Sequence, residues 1–76
     1  MNVEKALNVA FDLMLNVNEA HNHEIFKDLT LDREELELHF DVLVSQIGYA
    51  TSIAELLNLT FHIKPSEERV DFYLIP

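Results

Sequence analysis

The 76-residue chain has no cysteine, no tryptophan, one glycine and two prolines. Without cysteine there is no disulfide framework, no thiol nucleophile, no thiolate zinc site and no mark of an oxidising compartment. So little glycine and proline argues against a linker, a low-complexity segment or a second-domain boundary, and leaves no glycine-rich anion loop. Basic residues are scarce as well: five stand against fourteen acids, for a formal net charge of −9. Such a chain is not expected to neutralise nucleic-acid phosphates. No apolar run approaches the roughly 18 residues needed to span a bilayer, and Glu4 falls where a signal peptide would be basic. The expectation is one domain, residues 1–76, unprocessed and cytoplasmic, with no internal repeat visible.

Apolar residues, by contrast, are plentiful at 49%, too many for an acidic disordered tail. They concentrate first in Val3–Val17, where ten of fifteen residues are apolar. On a 3.6-residue period Val3, Ala6, Leu7, Ala10, Leu13, Met14 and Val17 form a core face, with Asn8, Asp12 and Asn16 on a narrow polar stripe. Asn2 is placed to cap this helix, which should run to about Asn18. Val9, Phe11 and Leu15 widen the apolar face beyond what one small core needs. A domain of this size also buries only about 60% of the surface its unfolded chain exposes. Together these features predict a homodimer with Val9, Phe11 or Leu15 across the interface.

Beyond a break at residues 18–24, Asp32-Arg-Glu-Glu35 has the form of a capping box ahead of a second apolar run. That run has two periods. Leu36, Leu38, Phe40, Val42 and Val44 alternate as a strand would, whereas Leu36, Phe40, Leu43, Val44 and Ile47 repeat as a helix would. The cap, the length and Gly48 in the place of a left-handed terminator favour helix. Ser52-Ile-Ala-Glu55 repeats the capping box, predicting a short third helix over Ile53–Asn58. The remainder reads as a hairpin with Pro65-Ser-Glu-Glu68 as its loop. Ile63 then pairs with Val70, Phe61 with Phe72 and Leu59 with Leu74 on the buried face, and His62 lies opposite Asp71. The fold class is α+β, three helices followed by a C-terminal β-hairpin.

Leu31-Asp-Arg-Glu-Glu-Leu36 with His39–Tyr49 is similar to the recognition helix and first wing strand of winged-helix domains, over about half the chain. The resemblance implies nucleic-acid binding, but residues 32–48 hold five acids and one base, the wrong sign for a phosphate reader. Phe26-Lys-Asp-Leu-Thr-Leu-Asp32 resembles the approach to the prosthetic-group serine of acyl carrier proteins, yet Arg33 stands where that serine belongs. His21, His23 and Glu24, with His39 and His62 elsewhere, could in principle hold a transition metal. An i, i+2 pair converges on a strand but not on a helix, and solvated loop histidines are the simpler reading. His62, Asp71 and Tyr73 lack an evident nucleophile. Asn58-Leu-Thr60 matches a glycosylation sequon, which has meaning only in a secreted chain.

The expectation is therefore a non-catalytic protein-interaction module, without metal or cofactor. Asp32, Arg33, Glu34, Glu37 and Asp41 are expected to meet a basic, nucleic-acid-handling protein. Small acidic inhibitors, including phage-encoded blockers of host defence nucleases, are similar in size and charge. The competing readings are a winged-helix-like regulator that binds nucleic acid and a binder of a small ligand or metal.

Overall fold

A computed structural model describes residues 2–21 and 25–76. Its elements are α1 (Val3–Ala20), β1 (Lys27–Asp32), β2 (Glu37–Leu43), α2 (Ile47–Leu56), β3 (Thr60–Ser66) and β4 (Arg69–Ile75). A short 3₁₀ turn, Val44–Gln46, leads into α2. The four strands form one antiparallel sheet in the order β1-β2-β4-β3. Helix-then-hairpin thus occurs twice, with β2 and β4 as central neighbours and β1 and β3 as the edges. The repeat lies in topology, which is why the residues themselves do not display it.

The first helix forms as its pattern dictates. Asn2 Oδ1 accepts the Lys5 N–H at 2.8 Å, and Ala6, Leu7, Ala10 and Met14 are buried. Small alanines on this face, and Ala50 and Ala54 on α2, let both helices lie close to the sheet. Helix α1 packs against β1 and β2, and α2 against β4.

The expected helix between the Asp32 cap and Gly48 does not form; that segment supplies a turn, β2, the 3₁₀ turn and the start of α2. A helix would have left Leu38 and Val42 on its polar side, whereas the strand buries Leu38, Phe40 and Val42 completely and sends Glu37, His39 and Asp41 to the other face. This is the ordinary alternation of a half-buried strand. Asp32 does act as a cap, but of a single turn: its Oδ1 accepts the N–H groups of Glu34 and Glu35, each at 3.0 Å. Leu36 then takes a left-handed φ of 54° and sends the chain back as β2. A helix N-cap and a hairpin turn of this kind use the same local hydrogen bonds, so the capping pattern fits both.

Two helices result where three were expected. The third begins earlier, at Ile47, so Ser52 lies inside it and Gly48 lies in its first turn, not at a terminus. Gly48 has no positive φ. The terminator is Asn58, left-handed at φ 56°. Its N–H bonds to Glu55 O at 3.2 Å, and the Leu59 N–H bonds to Ala54 O at 2.8 Å, the paired bonds of a Schellman end.

The C-terminal hairpin keeps its expected faces with a register two residues away from the expected one. Phe61 pairs with Leu74, Ile63 with Phe72 and Pro65 with Val70, so the loop is only Glu67-Glu68 and His62 faces Tyr73 instead of Asp71. A two-residue slip preserves every side-chain face, so alternation could not reveal it. Glu67 has a φ of 57°, a conformation that a tight hairpin loop demands.

The core centres on Phe26, Phe40 and Phe72. Phe26 meets Phe40 edge-on at 5.1 Å, and Phe40 stacks on Phe72 at 5.3 Å. Phe72 is fully buried, but Phe61 remains 39% exposed, correcting the expectation that both are core. Asn18 closes the other side. Its Oδ1 accepts the N–H groups of Ile25 and Phe26, and its Nδ2 donates to Phe26 O. One helical side chain thereby holds the returning chain against the core.

Candidate functional site

Three surfaces carry the residues that the sequence singled out. The first is the β1–β2 turn with the strand ends that flank it. Asp32, Arg33, Glu34 and Glu35 are exposed there and Glu37 is half-buried. Asp32 is committed to the turn. Arg33, the cation in the group, points back to α1, where its Nη1 donates to Asn8 Oδ1 at 2.9 Å. The carboxylates of Glu34, Glu35 and Glu37 have no ion-pair partner among the described residues. Asp41 does not belong with them: it lies further along β2, and its Oδ1 meets Arg69 Nε at 2.7 Å in a half-buried pair. Arg69 Nη2 also donates to Asp41 O at 3.4 Å. The five residues nominated together are thus split. Among the described residues Glu34 and Glu37 have no ion-pair partner, whereas Asp32, Arg33 and Asp41 have structural ones.

The second surface is the sheet face turned away from the helices. Thr30, His39, Tyr73 and His62 form one cross-strand row, followed by Lys27, Asp41, Asp71 and Lys64. His39 stacks on Tyr73 with ring centroids 4.6 Å apart. His39 Nε2 lies 3.5 Å from Asp71 Oδ1 and makes no hydrogen bond among the described residues. The Thr30 hydroxyl, across from His39, donates to Asp28 O at 3.0 Å. In the second row Lys27 and Lys64 flank the neighbouring acids Asp41 and Asp71, and Arg69 pairs with Asp41, so this row carries no surplus of negative charge. The Arg69–Asp41 pair is not legible where residues 33–47 are read as a helix, because it requires Asp41 to lie on a strand beside β4. Their strand alternation was the available signal.

Helix α1 is the third surface. Phe11 packs against the protein's own core, Val9 is half-buried, and Leu15 is 46% exposed. The wide apolar face is therefore partly accounted for inside one copy, and Leu15 is its clearest remainder.

The histidines do not converge among the described residues. His21 ends α1 with its ring edge-on to Tyr49 at 5.3 Å, while His39 and His62 lie on the open sheet face. His23 and Glu24 fall outside the described residues. Among the described residues no three metal-ligating side chains gather, and no helix is long and apolar enough to cross a membrane. Of the stretches that resemble a winged-helix recognition helix and wing, Leu31–Leu36 is the end of β1 and a turn, and His39–Tyr49 runs through β2 and the 3₁₀ turn into the start of α2. No protein-family model, curated protein or solved structure matches this chain.

Proposed function

We propose that the protein acts by binding another protein through its acidic β1–β2 hairpin, without catalysis, and that the partner presents a basic surface of the kind used to hold nucleic-acid phosphates. The observation that carries this reading is the set of carboxylates on Glu34, Glu35 and Glu37, which have no ion-pair partner among the described residues, the neighbouring Arg33 being bonded to Asn8. Like charges crowded on one turn do not stabilise the fold, so the arrangement is better suited to recognition than to structure. The Asp32 turn and the β2 ladder hold these acids in place, which lowers the ordering cost of binding. A cluster of this sign speeds encounter with a basic groove and makes the rate strongly salt-dependent. Occupying such a groove excludes the nucleic acid, so binding by itself makes the protein an inhibitor or regulator.

The test is Glu34→Lys combined with Glu37→Lys. Both side chains lie away from the core, so the circular dichroism spectrum should match the parent's. The partner is first recovered by pull-down from the native host, and its affinity is then measured for both proteins. The double variant should bind at least tenfold more weakly, a difference of about 1.4 kcal/mol, and the gap should narrow as salt rises. Equal affinity at low and at physiological salt would overturn the proposal.

A further inference from the structure

Strand β3 closes one edge of the sheet and is exposed along its whole length. Its pairing with β4 determines which backbone groups remain free. The two-residue loop makes Ser66 and Arg69 the closing pair, which in such hairpins is hydrogen-bonded on both sides. By alternation the N–H and C=O groups of Thr60, His62, Lys64 and Ser66 then point to β4, and those of Phe61 and Ile63 point outward. Pro65, which has no N–H, falls in the outward set, where the β3–β4 ladder loses no bond. The side chains of Phe61 and Ile63 lie on the helix side of the sheet but beyond the helices, 39% and 49% exposed. Leu56, the last residue of α2, is 74% exposed nearby in the chain.

We infer that β3 is a self-pairing edge: two copies of this chain join antiparallel along Thr60–Ser66, about a two-fold axis at His62, into one continuous sheet. Charge selects the occupant. The chain carries −9, so two copies repel over most of their surface, yet Thr60-Phe-His-Ile-Lys-Pro-Ser66 contains no acid. The other edge strand, β1, contains Asp28 and Asp32 and is broken by a bulge between Lys27 and Thr30.

Backbone chemistry selects the register. With His62 opposite the second copy's His62, Phe61 faces the second copy's Ile63, and every outward N–H and C=O of these two residues finds its complement. The apolar side chains then cover one another, and Lys64 lies opposite the second copy's Thr60. Centring the axis on Ile63 would set Phe61 against Pro65, which cannot donate, and Lys64 against His62. Centring it on Phe61 would require the Leu59 N–H, which is already bonded to Ala54 O at 2.8 Å. Lysine and proline commonly blunt an edge strand; here they restrict it to one register. This inference is independent of the acidic hairpin, and Glu34→Lys with Glu37→Lys should leave the dimer intact.

The chain has no cysteine, so a single introduced thiol reports the geometry. His62→Cys should give a disulfide-linked dimer under mild oxidation, because residues opposite one another at a non-hydrogen-bonded antiparallel site have Cα atoms about 4.5 Å apart. Lys64→Cys, also exposed on the same strand, should crosslink at least tenfold more slowly. Sedimentation at tens of micromolar should give a dimer for the parent and for Leu15→Asp. Ile63→Pro removes an outward N–H and the apolar side chain beside it but no bond of the β3–β4 ladder, and it should give a folded monomer. A monomeric parent, equal crosslinking at the two positions, a dimer lost in Leu15→Asp, or a dimer retained in folded Ile63→Pro would each overturn the inference.

Discussion

Replacing Gly48 with alanine should stabilise the protein. The sequence pattern makes Gly48 a left-handed helix terminator, and there an added Cβ would cost roughly 1 to 2 kcal/mol. The structure instead puts Gly48 in the first turn of α2, without a positive φ, and a Cβ built on it meets nothing within 4 Å. Alanine then gains backbone entropy and helix propensity, worth about 0.8 to 1 kcal/mol in a helix interior and about 0.5 to 1 at this early position. The Gly48 carbonyl still accepts from Thr51 Oγ1 at 3.3 Å, so no hydrogen bond is lost. In urea, with a slope near 1 kcal/mol per molar for so small a domain, the midpoint should rise by about 0.5 to 1 M with no change in slope. The melting temperature should rise by roughly 2 to 8 °C. A midpoint that falls would refute the helical placement of Gly48 and restore the terminator.

Other expectations follow from burial and hydrogen bonding. Phe72→Ala removes the fully buried ring stacked on Phe40 and should cost about 3 to 5 kcal/mol, enough to unfold most of the population. Phe61→Ala, on the uncovered edge, should cost less than half as much at protein concentrations low enough to keep the chain monomeric; equal losses would show that β3 is covered in the monomer. Asn18→Ala leaves the N–H groups of Ile25 and Phe26 without their acceptor and should cost roughly 2 to 3 kcal/mol. A change below about 0.5 kcal/mol, the scale of an unremarkable surface substitution, would show that the Asn18 clamp contributes nothing.

The parts of this fold that follow from neighbours along the chain are legible in the residues alone. Asn2 as a cap, the helical stripe from Val3 to Val17 and the alternation of Val70, Phe72 and Leu74 each arise from contacts a few residues apart. The run from Leu36 to Ile47 fits both a helix and a strand. What decides between them is a partner distant in sequence, β4, against which Leu38, Phe40 and Val42 align with Leu74, Phe72 and Val70. Hairpin register was hidden for the opposite reason, since a slip of two residues changes the cross-strand partners but no side-chain face. The acidic residues were visible as a charge run, but only the folded chain separates Asp41, paired with Arg69, from Glu34 and Glu37. The role of Asn18 and the exposure of β3 also depend on the fold. One requires the chain to return beside α1 at Ile25 and Phe26; the other requires helices that cover the centre of the sheet and stop short of an edge. Local hydrogen-bond and hydrophobic preferences extend over a few residues, whereas pairing and coverage depend on which distant surfaces meet.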